Sequence, residues 1–253
     1  MNKIVLLLIL VLYLFPLNLS ANAEILYKAN SLYEQGTYSD AIDLYNQAVK
    51  LGTINGDIYY NIGNSYFRLG HLGEAIFYYK LALRYNPENG DIKFNLNWAQ
   101  SKTIDKIQDQ KIISSEKIAN YIPINLKDSF YLLAIFSLLF WGTLTLSLFK
   151  SYEWIKWIKI STFTLFILLT IITALKFVNN GREFGVIVNQ EANIYSATGK
   201  DNVVLFTLHQ GAEFEINDQL INNNQKWYQI TLVDGKKGWL KSSDSISTYS
   251  INN

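Results

Sequence analysis

The sequence predicts a multidomain membrane protein in which an all-α repeat module and a small all-β domain flank two transmembrane helices. Hydrophobic residues make up 49% of the chain and fall into three blocks, rather than spreading as the core of one soluble domain would. The periodicity also changes, from a helical repeat before the second block to short alternating runs after the third.

Composition argues against several classes of function. A formal net charge of +1 provides no field that would attract nucleic acid, so no nucleic-acid partner is predicted. The absence of cysteine removes disulfides, thiolate metal sites and cysteine nucleophiles. His71 and His209 lie in segments that belong to different domains, which argues against a histidine-based metal site or catalytic triad. We therefore predict no enzyme, no metal site and no cofactor.

The first apolar block predicts a signal peptide over residues 1–23. Lys3 precedes a short apolar run, and Ala21, Asn22 and Ala23 form a small-residue cleavage site before Glu24. An uncleaved signal anchor is the alternative. The apolar run is shorter than the roughly 20 residues that a membrane span needs, which favours cleavage.

The other two blocks, residues 129–149 and 160–178, predict transmembrane helices. The first carries no charge, and the second carries only Lys176 near its end, where a lysine side chain can reach the membrane surface. As helices, both are long enough to cross about 30 Å of hydrocarbon. The alternative, a pair of buried core helices, lacks a soluble domain large enough to cover them.

The connection between the spans, residues 150–159, predicts the topology. Its three lysines and one glutamate give a net charge of +2, and short basic loops remain in the cytoplasm. The segments on either side then lie in the periplasm, attached to the bacterial inner (cytoplasmic) membrane. A cleaved signal peptide would deliver the first of them to the same side.

A period of 34 residues runs through residues 24–102. It aligns Ala41-Ile42 with Ala75-Ile76 and Tyr45 with Tyr79. This period, together with Gly63 at a small-residue position and Pro87 at a helix end, resembles the tetratricopeptide repeat (TPR) family. We assign copies to residues 24–55 and 56–89 and a capping helix to 91–102. Residues 103–128 are predicted to be a linker with some amphipathic helix.

The TPR resemblance implies a peptide-binding groove, because each repeat presents the same face of its first helix to a shared concave surface. Asparagines on that face could pair with a peptide backbone, and aromatic side chains could pack against its side chains. The alternative is that the aromatic residues belong to the core. Carried over position by position, the face contains Asn30, Tyr33, Tyr60, Asn64, Phe67, Phe94 and Trp98.

Residues 185–246 predict a small β-barrel, since short alternating runs are separated there by turn signals. The motifs Asn193-Ile194-Tyr195-Ser196, Trp227-Tyr228 and Gly235-Lys236-Lys237-Gly238-Trp239 resemble the bacterial SH3-like family. That resemblance implies a binding surface for cell-wall peptides or proteins, at Tyr195, Trp227 and Trp239. Tyr195 stands where the family often has arginine, and both tryptophans also fit a core or rim position.

The order of these segments, with the run Val204 to Gly211, resembles the BatE family of the bacterial aerotolerance operon. This resemblance implies an envelope complex with membrane-anchored von Willebrand factor A-domain proteins. We predict a non-catalytic scaffold in the lipid bilayer whose periplasmic groove binds a peptide segment of a partner protein. The alternative is a cell-wall tether or sensor that binds peptidoglycan through its SH3-like domain.

Overall fold

The computed structural model describes residues 19–105, 122–149, 152–199 and 202–251. They form a region of helical repeats, two long apolar helices and a separate antiparallel sheet domain. Residues 1–18 of the predicted signal peptide, and residues 106–121 of the predicted linker, lie outside the described residues.

The repeat region consists of helices whose ends recur at the 34-residue period. Asn55 and Asn89 each precede a helix and accept a hydrogen bond from the backbone N–H three residues on, at 2.9 and 3.2 Å. Gly36 and Gly70 end helices with φ of 81° and 80°, a left-handed conformation that glycine adopts without strain. The helices are α1 (Leu19–Glu34), α2 (Tyr38–Lys50), α3 (Gly56–Arg68), α4 (Leu72–Tyr85) and α5 (Gly90–Ser101).

The apolar helices are α6 (Leu126–Phe149) and α7 (Glu153–Asn180), and both are long enough to cross a membrane. They pack against each other, with the rings of Phe140 and Phe163 5.2 Å apart. Residues 153–159, which the sequence assigned to a loop, are the first turns of α7. No glycine or proline interrupts them, and Glu153 in the first turn complements the helix dipole.

The sheet domain is all-β and antiparallel, as predicted, but its strands do not close into a barrel. The strand order is β3-β2-β6-β5-β4-β1-β7, with β3 and β7 at the edges. β7 has three residues, and β2 meets β6 through the single pair Tyr195 and Trp239. The strands are β1 (Phe184–Ile187), β2 (Glu191–Tyr195), β3 (Val204–His209), β4 (Glu213–Asn222), β5 (Gln225–Thr231), β6 (Lys237–Lys241) and β7 (Ser245–Ser247).

The repeat region and the sheet domain pack together through α4 and β1. The ring of Phe77 lies 5.2 Å from that of Phe184, and Phe184 is buried in the same apolar cluster as the repeat helices. Beside this contact, Glu213 accepts from Lys80 Nζ and from Gln100 Nε2, both at 2.5 Å. Apolar packing and a half-buried ion pair therefore join two parts that α6 and α7 separate in sequence.

Further contacts lie at both ends of this interface. At one end, Asp105 Oδ1 lies 3.0 Å from His209 Nδ1. Asp105 Oδ2 accepts a hydrogen bond from the backbone N–H of His209 at 2.6 Å. At the other end, Arg84 donates to the carbonyl of Asn180, the last residue of α7, at 3.3 Å. The C-terminal half of α4 therefore lies beside the end of an apolar helix.

Gly73→Ala should weaken the contact between α4 and β1. A Cβ at Gly73 would lie 2.2 Å from the carbonyl oxygen of Ile187, so the backbone of one element would have to move. We expect the free energy of unfolding to fall by about 1–3 kcal/mol, the usual cost of overpacking. Thermal unfolding of the full chain in detergent would measure the loss.

Gly90→Ala is the matched control, because Gly90 also lies in the first turn of a helix but has open space around it. The thermal unfolding midpoint of Gly90→Ala should not fall. Equal midpoints for the two variants would contradict the described packing of α4 on β1.

Candidate functional site

A groove of about 400 Å³ lies on the face that α1, α3 and α5 share. Aromatic and amide side chains make up most of its wall. Phe94 and Trp98, both on α5, remain 69% and 49% exposed, which leaves two large apolar side chains open to a ligand. The lining residues are Tyr33, Asn64, Phe67, Arg68, Tyr79, Phe94, Asn95 and Trp98.

Hydrogen bonds between asparagine and tyrosine form the base of the groove and recur with the 34-residue period. Tyr45 Oη donates to Asn30 Oδ1 at 2.6 Å, and Tyr79 Oη donates to Asn64 Oδ1 at 2.8 Å. Asn95 Nδ2 also donates to Asn64 Oδ1, at 3.0 Å. This network joins α1 to α2. It also joins α3 to α4 and to α5.

These bonds determine what the groove asparagines can offer a ligand. An amide oxygen accepts about two hydrogen bonds. Asn64 Oδ1 already accepts from Tyr79 and Asn95, so Asn64 can serve a bound peptide through its Nδ2 donor. The Tyr79 phenol is a protonated donor at neutral pH, and burial raises its pKa further above the ordinary value.

Arg68 is the cationic side chain in the groove wall. Its guanidinium lies 5.0 Å from the centre of the Tyr38 ring, a cation–π contact that helps to hold it in place. Burial raises the pKa of Tyr33, and the positive charge of Arg68 opposes that rise. The groove thus combines aromatic surface, amide donors and one positive charge.

The structure brings together most of the groove residues expected from the sequence. Asn30 and Tyr60 are not in the wall, although both belong to the network beneath it: Tyr60 Oη accepts from Asn95 Nδ2 at 3.0 Å. Sequence reasoning missed Arg68, Tyr79 and Asn95 as lining residues. The signal for Asn95 was present, since it lies one period after Asn61.

The expected SH3-like surface residues lie around β2, β5 and β6. Trp227 is only 5% exposed and packs edge-on against Tyr195, with ring centres 5.5 Å apart. Tyr195 and Trp239 are half-buried neighbours on paired strands. Trp227 therefore contributes to the core of the domain, whereas Tyr195 and Trp239 retain exposed surface.

Two family models match the repeat region of the chain. Residues 29–70 match a TPR repeat model, and residues 56–89 match a tetratricopeptide repeat model. The N-terminal region contains TPR repeats. This is a protein-interaction fold, and it implies protein partners in general. No curated protein matches the chain.

Asn64→Ala should destabilise the repeats by removing the acceptor of two hydrogen bonds. The buried Tyr79 hydroxyl would then lack its partner, which costs about 1–3 kcal/mol of unfolding free energy. Asn97→Ala is the matched control, because Asn97 is exposed on α5 and alanine has the higher helix propensity. Chemical denaturation followed by circular dichroism would compare them, and equal midpoints would contradict the network.

Proposed function

We propose that the chain is a non-catalytic inner-membrane scaffold whose groove binds an extended peptide segment of a partner protein. The observation that carries this proposal is the groove itself, with Phe94 and Trp98 exposed above a hydrogen-bonded asparagine base. Exposed aromatic side chains in a concave surface are typical anchors of protein recognition.

The chemistry of the groove suits an extended peptide. Phe67, Phe94 and Trp98 offer apolar surface to its side chains, and the Nδ2 group of Asn64 offers a donor to its carbonyl groups. Because the network beneath these residues already fixes α3 to α4 and α5, binding would require little reorganisation of that part of the groove.

The apolar helices support attachment to a membrane. α6 and α7 have 24 and 28 residues, or about 36 and 42 Å of helix, with a mean hydropathy of 2.1 in their most apolar windows. None of that window in α6, and only 11% of it in α7, is buried inside the protein. A core helix of a soluble protein would be mostly covered, so lipid is the fitting surrounding for these side chains.

The interface between α4 and β1 supports a topology in which both soluble parts lie on one side. Lys156 and Lys159 lie at the opposite end of α7 from Asn180, and basic residues favour the cytoplasm. The repeats and the sheet domain then lie in the periplasm. The resemblance to the BatE family supports von Willebrand factor A-domain membrane proteins as partners in an aerotolerance complex.

The second candidate function is a cell-wall tether that binds peptidoglycan through the SH3-like domain. Tyr195 and Trp239 would form its ligand surface, since both keep exposed area on paired strands. Sedimentation of the reconstituted full chain with purified peptidoglycan tests this function. Loss of sedimentation in Trp239→Ala is the expected result, and equal sedimentation of the two proteins would contradict it.

Replacing the two exposed groove aromatics should weaken partner binding strongly without unfolding the repeats. We expect Phe94→Ala combined with Trp98→Ala to lower the recovery of the partner at least about tenfold, because loss of two aromatic anchors removes several kcal/mol of binding energy. Quantitative mass spectrometry after mild-detergent purification from native membranes would measure it.

Tyr27→Ala is the matched control, since Tyr27 is 79% exposed on α1 and lies outside the groove wall. Its recovery profile should equal that of the unaltered chain. Unchanged recovery of every membrane protein by the folded groove variant would contradict the proposal.

A further inference from the structure

The turn between β4 and β5 exposes two large aliphatic side chains. Near the end of β4, Leu220 is 44% and Ile221 is 72% exposed, and Asn222 separates them from a two-residue turn. Asn223 and Asn224 form that turn with φ of 50° and 60°, the geometry of a tight hairpin. Lys226 lies opposite Ile221 in the strand register, so the tip also carries a positive charge.

The strand register shows on which side of the domain this tip lies. Glu215 pairs with Phe184, the first residue of β1, and β4 continues past that point to Asn222. β1 follows directly from the end of α7 at Asn180. The antiparallel hairpin therefore extends about seven residues, or roughly 24 Å along the strand, towards the side from which the chain leaves the apolar helix.

Contacts of the tip agree with this direction, although β4 bends at the bulge between Ile216 and Asp218. Lys226 Nζ lies 5.7 Å from the centre of the Tyr249 ring. Thr248, the residue before Tyr249, hydrogen-bonds Glu183 and accepts a hydrogen bond from the backbone N–H of Phe184 at 3.1 Å. The base of the tip is thus close to the first residues after α7.

The repeats pack against part of the opposite side of the domain. There, Gly73 lies against the backbone of Ile187, and Asp105 bonds His209. Glu215 of β4 pairs with both Phe184 and Thr231, so the end of β5 lies level with the start of β1. Because β5 runs away from the tip, the turn between β5 and β6 points away from α7. The β4–β5 tip is an exposed apolar feature on the α7 side of the sheet.

We infer that the β4–β5 tip contacts the lipid surface, with Ile221 among the headgroups and Lys226 near their phosphates. The inference rests on the membrane insertion of α6 and α7 proposed above. An exposed aliphatic residue beside a lysine fits the boundary between acyl chains and anionic headgroups. A tip held there would give the sheet domain a second attachment to the bilayer besides α7 and would restrain its tilt.

Single nitroxide labels on cysteine test the inference, because the chain has no cysteine of its own. The full chain would be reconstituted in vesicles of phosphatidylethanolamine and phosphatidylglycerol. Ile221→Cys reports the tip. Val233→Cys is the matched control, a 51% exposed aliphatic residue near Lys236 at the other end of β5, and Leu138→Cys, 75% exposed in α6, reports membrane insertion.

Collision of each nitroxide with a water-soluble nickel complex would be measured by power saturation. We expect the label at position 221 to be about tenfold less accessible than the label at 233, the ratio that burial of one aliphatic side chain supports. Equal accessibility at 221 and 233, with 138 protected, would overturn the inference and leave membrane insertion standing. An accessible label at 138 would overturn both.

Discussion

The contact between α4 and β1 is the interaction on which the arrangement of this protein depends. Phe77 and Phe184 lie on opposite sides of two apolar helices in the sequence, yet their rings are 5.2 Å apart in one buried cluster. A chain that crosses a bilayer twice returns to the side from which it started, so this packing and membrane insertion of α6 and α7 are compatible. A single crossing would separate Phe77 from Phe184 by the thickness of the membrane.

The same contact determines how the groove is presented. α4 packs on β1 through Phe77 and supports the groove through Tyr79, whose hydroxyl donates to Asn64. One helix thus connects the sheet domain to the base of the candidate site, and Arg84 at its C-terminal end connects both to the last turn of α7. The consequence is a groove held at a defined position relative to the apolar helices, which suits recognition of another protein anchored nearby.

The sequence predicted those features that depend on local periodicity. The 34-residue period placed the repeats, and apolar length placed the two long helices. The period also predicted one groove for five side chains, because equivalent repeat positions share a face. They are Tyr33, Asn64, Phe67, Phe94 and Trp98. Contacts between distant segments were not predictable in this way: Tyr79 lines the groove from α4 and bonds Asn64, and the open sheet depends on tertiary register. One signal of this packing was overlooked: Ile76, Phe77, Tyr78 and Tyr79 are consecutive apolar residues, and all four are buried. A helix segment that is apolar on every side is buried on every side, so α4 needed a covering partner besides the other repeat helices.

Single-cysteine accessibility tests most directly the claim that the groove and the sheet domain share one side of the membrane. Asp57→Cys in the repeats, Lys237→Cys in the sheet and Lys156→Cys in α7 are all exposed positions in a chain that has no other cysteine. In right-side-out spheroplasts, a membrane-impermeant maleimide should label positions 57 and 237 but not 156, and inverted vesicles should give the reverse. Labelling of 57 and 237 from opposite sides would contradict the account.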